Sequence, residues 1–250
     1  MRRAASRSAA PERRRTRGRV GALAVTATIA AVLAAALAIA PAATAQPAAP
    51  GAVTPLPAPR TDGTVAVERA LAQRRSLRSF APRPLALADA GQLLWAAQGV
   101  SDAAQGRRTA PSAGATYPLV LYLVAGRVDG LPAGVHRYEP PAHRLAAVAG
   151  GDPRAEIATA ARDQRWLADA PALVVIAAQP QRTAARYGAR ADRYVAIEAG
   201  AAAQNLLLQA VALGLGGTLV GAFDDAALRR AVPLDDGEQV LAIVAVGRPR

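Results

Sequence analysis

The chain has 250 residues, all 30 lysine-or-arginine positions are arginine, 18 residues are acidic, and 67 alanines make up much of a 52% apolar fraction that includes only 4% aromatics. The absence of cysteine excludes thiolate catalysis, disulfides and thiolate-ligated metal centres, and with only His136 and His143 a Ser-His-Asp enzyme or a histidine-rich metal site would rest on two weak candidates, so no metal is expected. The net charge of +12 divides unevenly: residues 1–45 carry eight arginines and one acid, residues 46–250 carry 22 arginines and 17 acids, and so modest a surplus in the second part gives no expectation of nucleic-acid binding.

Residues 2–19 form a positive n-region, 20–40 an uncharged stretch, and Ala43-Thr44-Ala45 supplies small residues at the spacing of a signal-peptide cleavage site, so 1–45 reads as an export leader cut after Ala45. The competing reading is a retained anchor at 20–40, long enough to span a bilayer but alanine-rich. Arg13-Arg14-Arg15 with Arg17 loosely resembles a twin-arginine signal without its bulky apolar pair. Five prolines in 46–60 make 46–62 an extended linker, leaving 63–250 as the folded domain.

Within that domain the spacing predicts a helix over 65–75 with Val67 and Leu71 on its apolar face, and a second over 87–99 with Leu93, Leu94 and Ala97 inward. Residues 107–118 are a Pro-Gly loop in which a helix can start, 119–124 an apolar strand, and 135–138 with 144–148 a hairpin across Pro140-Pro141. His136 and His143 are expected to be exposed polar residues of that hairpin. Asp152 is an N-cap candidate for a helix running through Trp166, 172–178 a buried strand, and 192–213 a long helix closed by Gly214. A strand at 218–223, a short helix at 224–230 and a strand at 239–246 complete an α+β layer fold.

Four segments in order resemble the FMN-dependent nitroreductase superfamily, and within it the SagB-type dehydrogenases that oxidise azolines: Arg74-Arg75-Ser76-Leu77-Arg78-Ser79-Phe80; Pro111-Ser112-Ala113-Gly114-Ala115-Thr116-Tyr117-Pro118; Arg186-Tyr187-Gly188; and Glu198-Ala199-Gly200 with Gln204-Asn205-Leu206. The resemblance implies a nitroreductase-like fold, a central mixed β-sheet packed by helices, over about 65–247. It also implies a homodimer with FMN at the subunit interface, and hydride transfer through flavin N5.

Each segment has a reading of its own. Arg74, Arg75 and Arg78 around Ser76 gather fixed charge and a hydroxyl, either a solvated basic helix terminus or a cradle for phosphate; the resemblance implies the cradle, for the FMN phosphate and ribityl chain. Ser112, Ala113 and Gly114 form an ordinary turn or, as the resemblance implies, lie against the flavin of the second subunit. Gly221 and Ala222 make a tight strand-to-helix turn that also lets a flat ring approach the backbone. Glu198, Asn205 and Gln209 share a helix face and read as an interhelical hydrogen-bond seam, with catalysis by Glu198 the lesser reading.

At Arg186-Tyr187 the SagB-type enzymes carry Lys-Tyr, a pair associated with deprotonating the azoline. Here an arginine that stays protonated replaces the lysine, leaving Tyr187 as the titratable member; Arg186 can bind an anionic substrate or stabilise a phenolate, and both can be surface helix residues. At the C-terminus Arg248 stands where the family has an aromatic residue; longer members continue to a basic residue at the FMN phosphate, and the sequence leaves open whether Arg250 reaches that phosphate. The expected function is an exported FMN-dependent dehydrogenase acting on a small-molecule or peptide azoline. The alternatives are a non-catalytic flavin-binding scaffold and an NAD(P)H-dependent nitro or quinone reductase.

Overall fold

The computed structural model describes residues 47–250; the expected leader and its anchor alternative lie outside them. The longest apolar runs become the centre of a seven-stranded sheet. Strands β1 (Val53–Pro55), β4 (Leu119–Ala125), β5 (Gly134–Glu139), β6 (Arg144–Gly150), β7 (Ala172–Ala178), β8 (Gly216–Val220) and β9 (Gln239–Gly247) pair in the order β1-β6-β5-β4-β7-β9-β8. A separate two-stranded ribbon joins β2 (Val100–Asp102) to β3 (Arg107–Arg108). The seven strands pair antiparallel throughout, and parallel pairing comes from the isolated bridges Leu85↔Val128 and Ser76↔Gly217, the second of which lays the chain after the first helix along the outer edge of β8.

Period-two alternation explains why the central strands read as unbroken apolar runs. Leu121, Val174, Ile176 and Val244 point into one core, under helices α2 (Leu87–Gln98) and α5 (Ala191–Ala212). Tyr122, Leu173, Val175 and Ile243 point into the other, under α3 (Arg154–Ala160) and α6 (Asp225–Ala231). With few large side chains available, α5 approaches its neighbours through Ala199, Ala202, Ala203 and Ala210, all buried. It ends as its sequence requires: Gly214 takes φ +68, its N–H bonds the Val211 carbonyl at 3.0 Å, and Leu215 N–H bonds the Ala210 carbonyl at 2.8 Å, the paired bonds of a Schellman stop. Asp224 caps α6 by accepting from Ala227 N–H at 2.7 Å.

Several expectations are corrected. The proline-rich stretch 46–62 is not a free linker: it supplies β1, paired to β6, and buries Ala48 and Leu56. The helix after Asp152 ends at Ala160 rather than running through Trp166, because Arg162 and Asp163 adopt positive φ. Asp152 grips the Arg154 guanidinium at 2.6 and 2.7 Å and accepts from the Arg154 N–H at 3.3 Å, so it satisfies the first amide of the helix from one residue before the Pro153 N-cap. The strand expected at 218–223 lies at 216–220. Val67 and Leu71, on α1 (Val67–Gln73), are exposed while Ala70 packs inward. His136 is buried, with Nε2 3.0 Å from the Pro132 carbonyl, and His143 bridges Tyr138 and the Pro57 carbonyl at 2.9 Å each. A helix absent from the sequence expectations, α4 (Pro180–Tyr187), has a proline in its first turn and buries only Thr183, so it offers no apolar stripe to read.

Ala202 tests the close approach of α5. Ala202→Leu forces extra methylenes into a full core, with an expected cost of about 1–3 kcal/mol and a midpoint lower by roughly 2–12 °C on calorimetry. An unchanged midpoint would mean that α5 does not pack this tightly.

Candidate functional site

The loop leading into β4 is held in a strained shape. Gly114 at φ +58 suits its residue type, but Ala115 at φ +54 and Tyr117 at φ +44 are left-handed L-residues, each costing of order 1–3 kcal/mol and persisting only where surroundings over-determine them. Ser112 Oγ accepts from Tyr117 N–H at 2.9 Å, and the Thr116 hydroxyl donates to the Ala113 carbonyl at 3.0 Å. From α4, Thr183 Oγ1 lies 2.9 Å from Thr116 Oγ1, Arg182 donates to the Tyr117 carbonyl at 3.1 Å and Arg186 to the Gly114 carbonyl at 3.2 Å. A Cβ on Gly114 would stand 2.6 Å from the Tyr187 hydroxyl and 3.0 Å from Arg186. The loop and the Arg186-Tyr187 pair are therefore one packed unit, and Tyr187 is steadied from behind by Tyr194, edge to face at 5.1 Å.

Beneath the loop lies Glu198, 3% exposed, with Oε1 accepting from Ala113 N–H at 2.8 Å and Oε2 buried without a partner. Burial pushes its carboxyl above the ordinary value, against the pull of the Ala113 N–H and the Ser112 hydroxyl. The expected interhelical seam is only partly present: Gln209 accepts from Gln92 of α2 at 3.2 Å, whereas Asn205 donates to the Thr109 carbonyl and Glu198 serves Ala113. Glu198, Thr183 and Arg182 are the loop anchors that sequence reasoning missed in that role; a lone carboxylate in an alanine-rich helix was the available signal.

A second cluster forms where α1 ends against β8. Leu77 N–H donates to the Gly217 carbonyl at 3.1 Å, the Thr218 hydroxyl donates to the Leu77 carbonyl at 2.5 Å, and a Cβ on Gly216 would come within 2.9 Å of Leu77. Arg74 and Arg75 line a cleft of about 120 Å³ with Gly216, Gly217 and Pro249. Arg75 folds onto the Ala72 and Arg74 carbonyls, Ser76 is exposed, and Arg78 lies 5.8 Å over Trp166. Among the described residues none of these arginines is paired with a carboxylate.

At the other end of β8, Gly221 and Ala222 are exposed, and a Cβ on Gly221 would meet nothing within 4 Å. Strand geometry sets this open end about 13 Å from Gly217. Unpaired guanidinium and hydroxyl donors at one end of a strand, with an open glycine at the other, suit an elongated ligand with a phosphate and a flat ring. The donor chemistry thus fits FMN. Among the described residues no hydrogen bond joins Ser112–Gly114 to Gly221–Ala222, so one chain presents the two clusters separately.

Residues 71–248 match the nitroreductase family. A protein of Methanocaldococcus jannaschii, provisionally named a nitroreductase, is 41% identical over 184 residues, 74% of this chain and 91% of its own. Among solved structures, a provisionally assigned nitroreductase of Ralstonia eutropha JMP134 aligns with a TM-score of 0.68 at 29% identity, covering 79% of this chain and 90% of that one. The NADPH:FMN oxidoreductase of Vibrio harveyi, solved with NAD+, aligns with a TM-score of 0.54 at 20% identity over 73% of this chain and 68% of its own, a likeness of fold alone.

The buried carboxylate gives a signed expectation. A carboxyl raised in the native state takes up a proton on folding between its unfolded and native values, so stability falls as pH rises through that window. Glu198→Gln keeps an acceptor for Ala113 N–H and loses the ionisation. Denaturant melts are expected to show this variant gaining on the wild type as pH rises from about 4 towards neutrality; a gap independent of pH would contradict the raised carboxyl.

Proposed function

The chain belongs to the nitroreductase family and is an oxidoreductase of that family, and from that premise we propose that it is an exported, FMN-dependent, SagB-type dehydrogenase that works as a homodimer on an azoline-like substrate. One observation carries the proposal: guanidinium and hydroxyl donors with no carboxylate partner among the described residues gather where α1 meets β8, one strand length from an open glycine turn.

In this assignment Arg74, Arg75, Ser76 and Arg78 hold the phosphate and ribityl chain, and Arg78 leaves Trp166 to do so. Gly221 and Ala222 give the ring backbone to lie on, and Ser112, Ala113 and Gly114 cover it from the partner subunit. FMN supplies the redox chemistry when bound, as the acceptor of hydride at N5. Homodimerisation is supported by exposed apolar side chains on the helices beside the cleft, Val67, Leu71 and Ile197, a pattern that marks contact surfaces when contiguous. Export is supported by the leader-like order of charge, uncharged stretch and Ala43-Thr44-Ala45.

The chain's own contribution to the reaction lies at Arg186-Tyr187. Arg186 is committed to the Gly114 carbonyl and holds its charge 5.6 Å from the Tyr187 ring centroid. It stays protonated and cannot serve as the base, so Tyr187 is the group that moves the proton, at the loop that covers the flavin. The same substitution favours a second reading, an NAD(P)H-dependent nitro or quinone reductase, in which Arg186 is a structural clasp. Export argues against it, because NAD(P)H is scarce outside the cytoplasm.

Binding and chemistry are separable in this arrangement. Tyr187→Phe keeps the stack on Tyr194 and is expected to slow flavin reduction by an azoline substrate about a hundred-fold in stopped flow, with FMN affinity unchanged. Arg78→Ala or Ser76→Ala is expected to weaken FMN about ten-fold or more by titration. Equal reduction rates in Tyr187→Phe and wild type would remove Tyr187 from the mechanism, and reduction by NADPH but not by azoline would select the second reading.

A further inference from the structure

A cavity of about 340 Å³ lies between the end of α2, the start of β4 and the β5–β6 turn, and shares no residue with the phosphate cradle. Its polar lining holds two guanidinium groups that meet no carboxylate among the described residues and one buried amide N–H without an acceptor. Gln98 is 1% exposed, its Oε1 takes one bond from Arg108 at 3.2 Å, and its Nε2 is buried with no partner. Arg182 reaches the cavity from α4, one helical turn before Arg186. Among the described residues neither Arg108 nor Arg182 meets a carboxylate, while the other charges there are committed: Arg137 to Asp235 and Glu238, and Glu139 to Arg144 at 2.5 Å.

Burial holds the Arg108 guanidinium below its ordinary value, and the like charge of Arg182 acts in the same direction. A half-buried Arg108, an exposed Arg182 and the orphaned Gln98 Nε2 make the cavity electropositive and leave one buried donor to be satisfied, which suits an anion. The remaining wall is flat and apolar, formed by the Tyr138 ring, whose hydroxyl is occupied by His143 at 2.9 Å, and by Pro140 and Pro141.

We propose that this cavity is a binding site for a small aromatic carboxylate, its carboxylate bridging Arg108 and Arg182 with Gln98 Nε2 as third donor and its ring against Tyr138 and the two prolines. Planar guanidinium groups match carboxylate geometry, and the apolar wall selects against a bare oxyanion. The site does not depend on the reaction proposed above. It does adjoin the loop: Arg182 donates to the Tyr117 carbonyl, and the Arg108 guanidinium carbon lies 4.8 Å from the Tyr117 ring centroid.

The test uses the purified full-length protein as isolated, with benzoate as probe, benzamide as its neutral isostere and inorganic phosphate as a non-aromatic oxyanion, read by thermal shift and calorimetry. Benzoate is expected to bind saturably at one site and raise the melting midpoint; benzamide is expected to do neither, and phosphate, for which the separate cluster at Arg74 to Arg78 is open, is expected not to displace benzoate. Arg108→Gln or Arg182→Gln is expected to weaken benzoate about ten-fold or more. Gln98→Glu sets a carboxylate beside Arg108, so the folded variant is expected to lose benzoate binding. No saturable response to benzoate up to about 10 mM, displacement of benzoate by an equal concentration of phosphate, or wild-type benzoate affinity in folded Gln98→Glu would overturn the proposal.

Discussion

The close approach of α5 to the sheet, made possible by alanine, is the constraint on which the other features depend. Because Ala199, Ala202, Ala203 and Ala210 are nearly all backbone, the helix lies near enough to the strands for its few long side chains to reach precise partners. Near its start Glu198 lies under Ala113, and further along Leu207 and Val211 border the cleft at Gly216 and Gly217. Nine residues of helix separate Glu198 from Leu207, about 14 Å, so α5 spaces the loop at Ala113 from the cleft at Gly216 and Gly217 within one chain. Larger side chains on this face would lengthen every one of those contacts.

The strained loop is the second consequence. Ala115 and Tyr117 are held at positive φ by bonds from three elements: α5 through Glu198, α4 through Arg182 and Arg186, and the loop's own Ser112 and Thr116 hydroxyls. Side chains on α4 that look like solvated arginines in the sequence are thus the clamps of the site. Replacing lysine by arginine changes what α4 can do: a guanidinium clamps a carbonyl well and cannot give up its proton. Positioning therefore falls to Arg186, and proton transfer in the proposed reaction falls to Tyr187.

Legibility followed the physics of each element. β7 and β9 are visible because burial on both faces writes an unbroken apolar run, and α5 because its length and Gly214 leave no other solution. β1 is hidden by its prolines, which an edge strand tolerates and a composition reading assigns to a linker. α4 is hidden because a helix lying on the surface needs no apolar stripe. At the site, the segments are legible but their partners are not: on the residues alone Arg74 to Arg78 read first as a solvated terminus, and nothing local writes the bridge that sets Ser76 beside Gly217. The sequence separation of 85 between Ala113 and Glu198 erases any local signal of their contact.

The central claim is that this chain is a flavoprotein, and the most direct measurement is the absorption spectrum of the purified protein combined with equilibrium dialysis against FMN. The account predicts flavin bands in the protein as isolated or after dialysis, with one FMN retained per subunit. A colourless protein that retains no FMN would contradict it, because the unpaired donors at Arg74 to Arg78 would then be a solvated helix end and not a phosphate site.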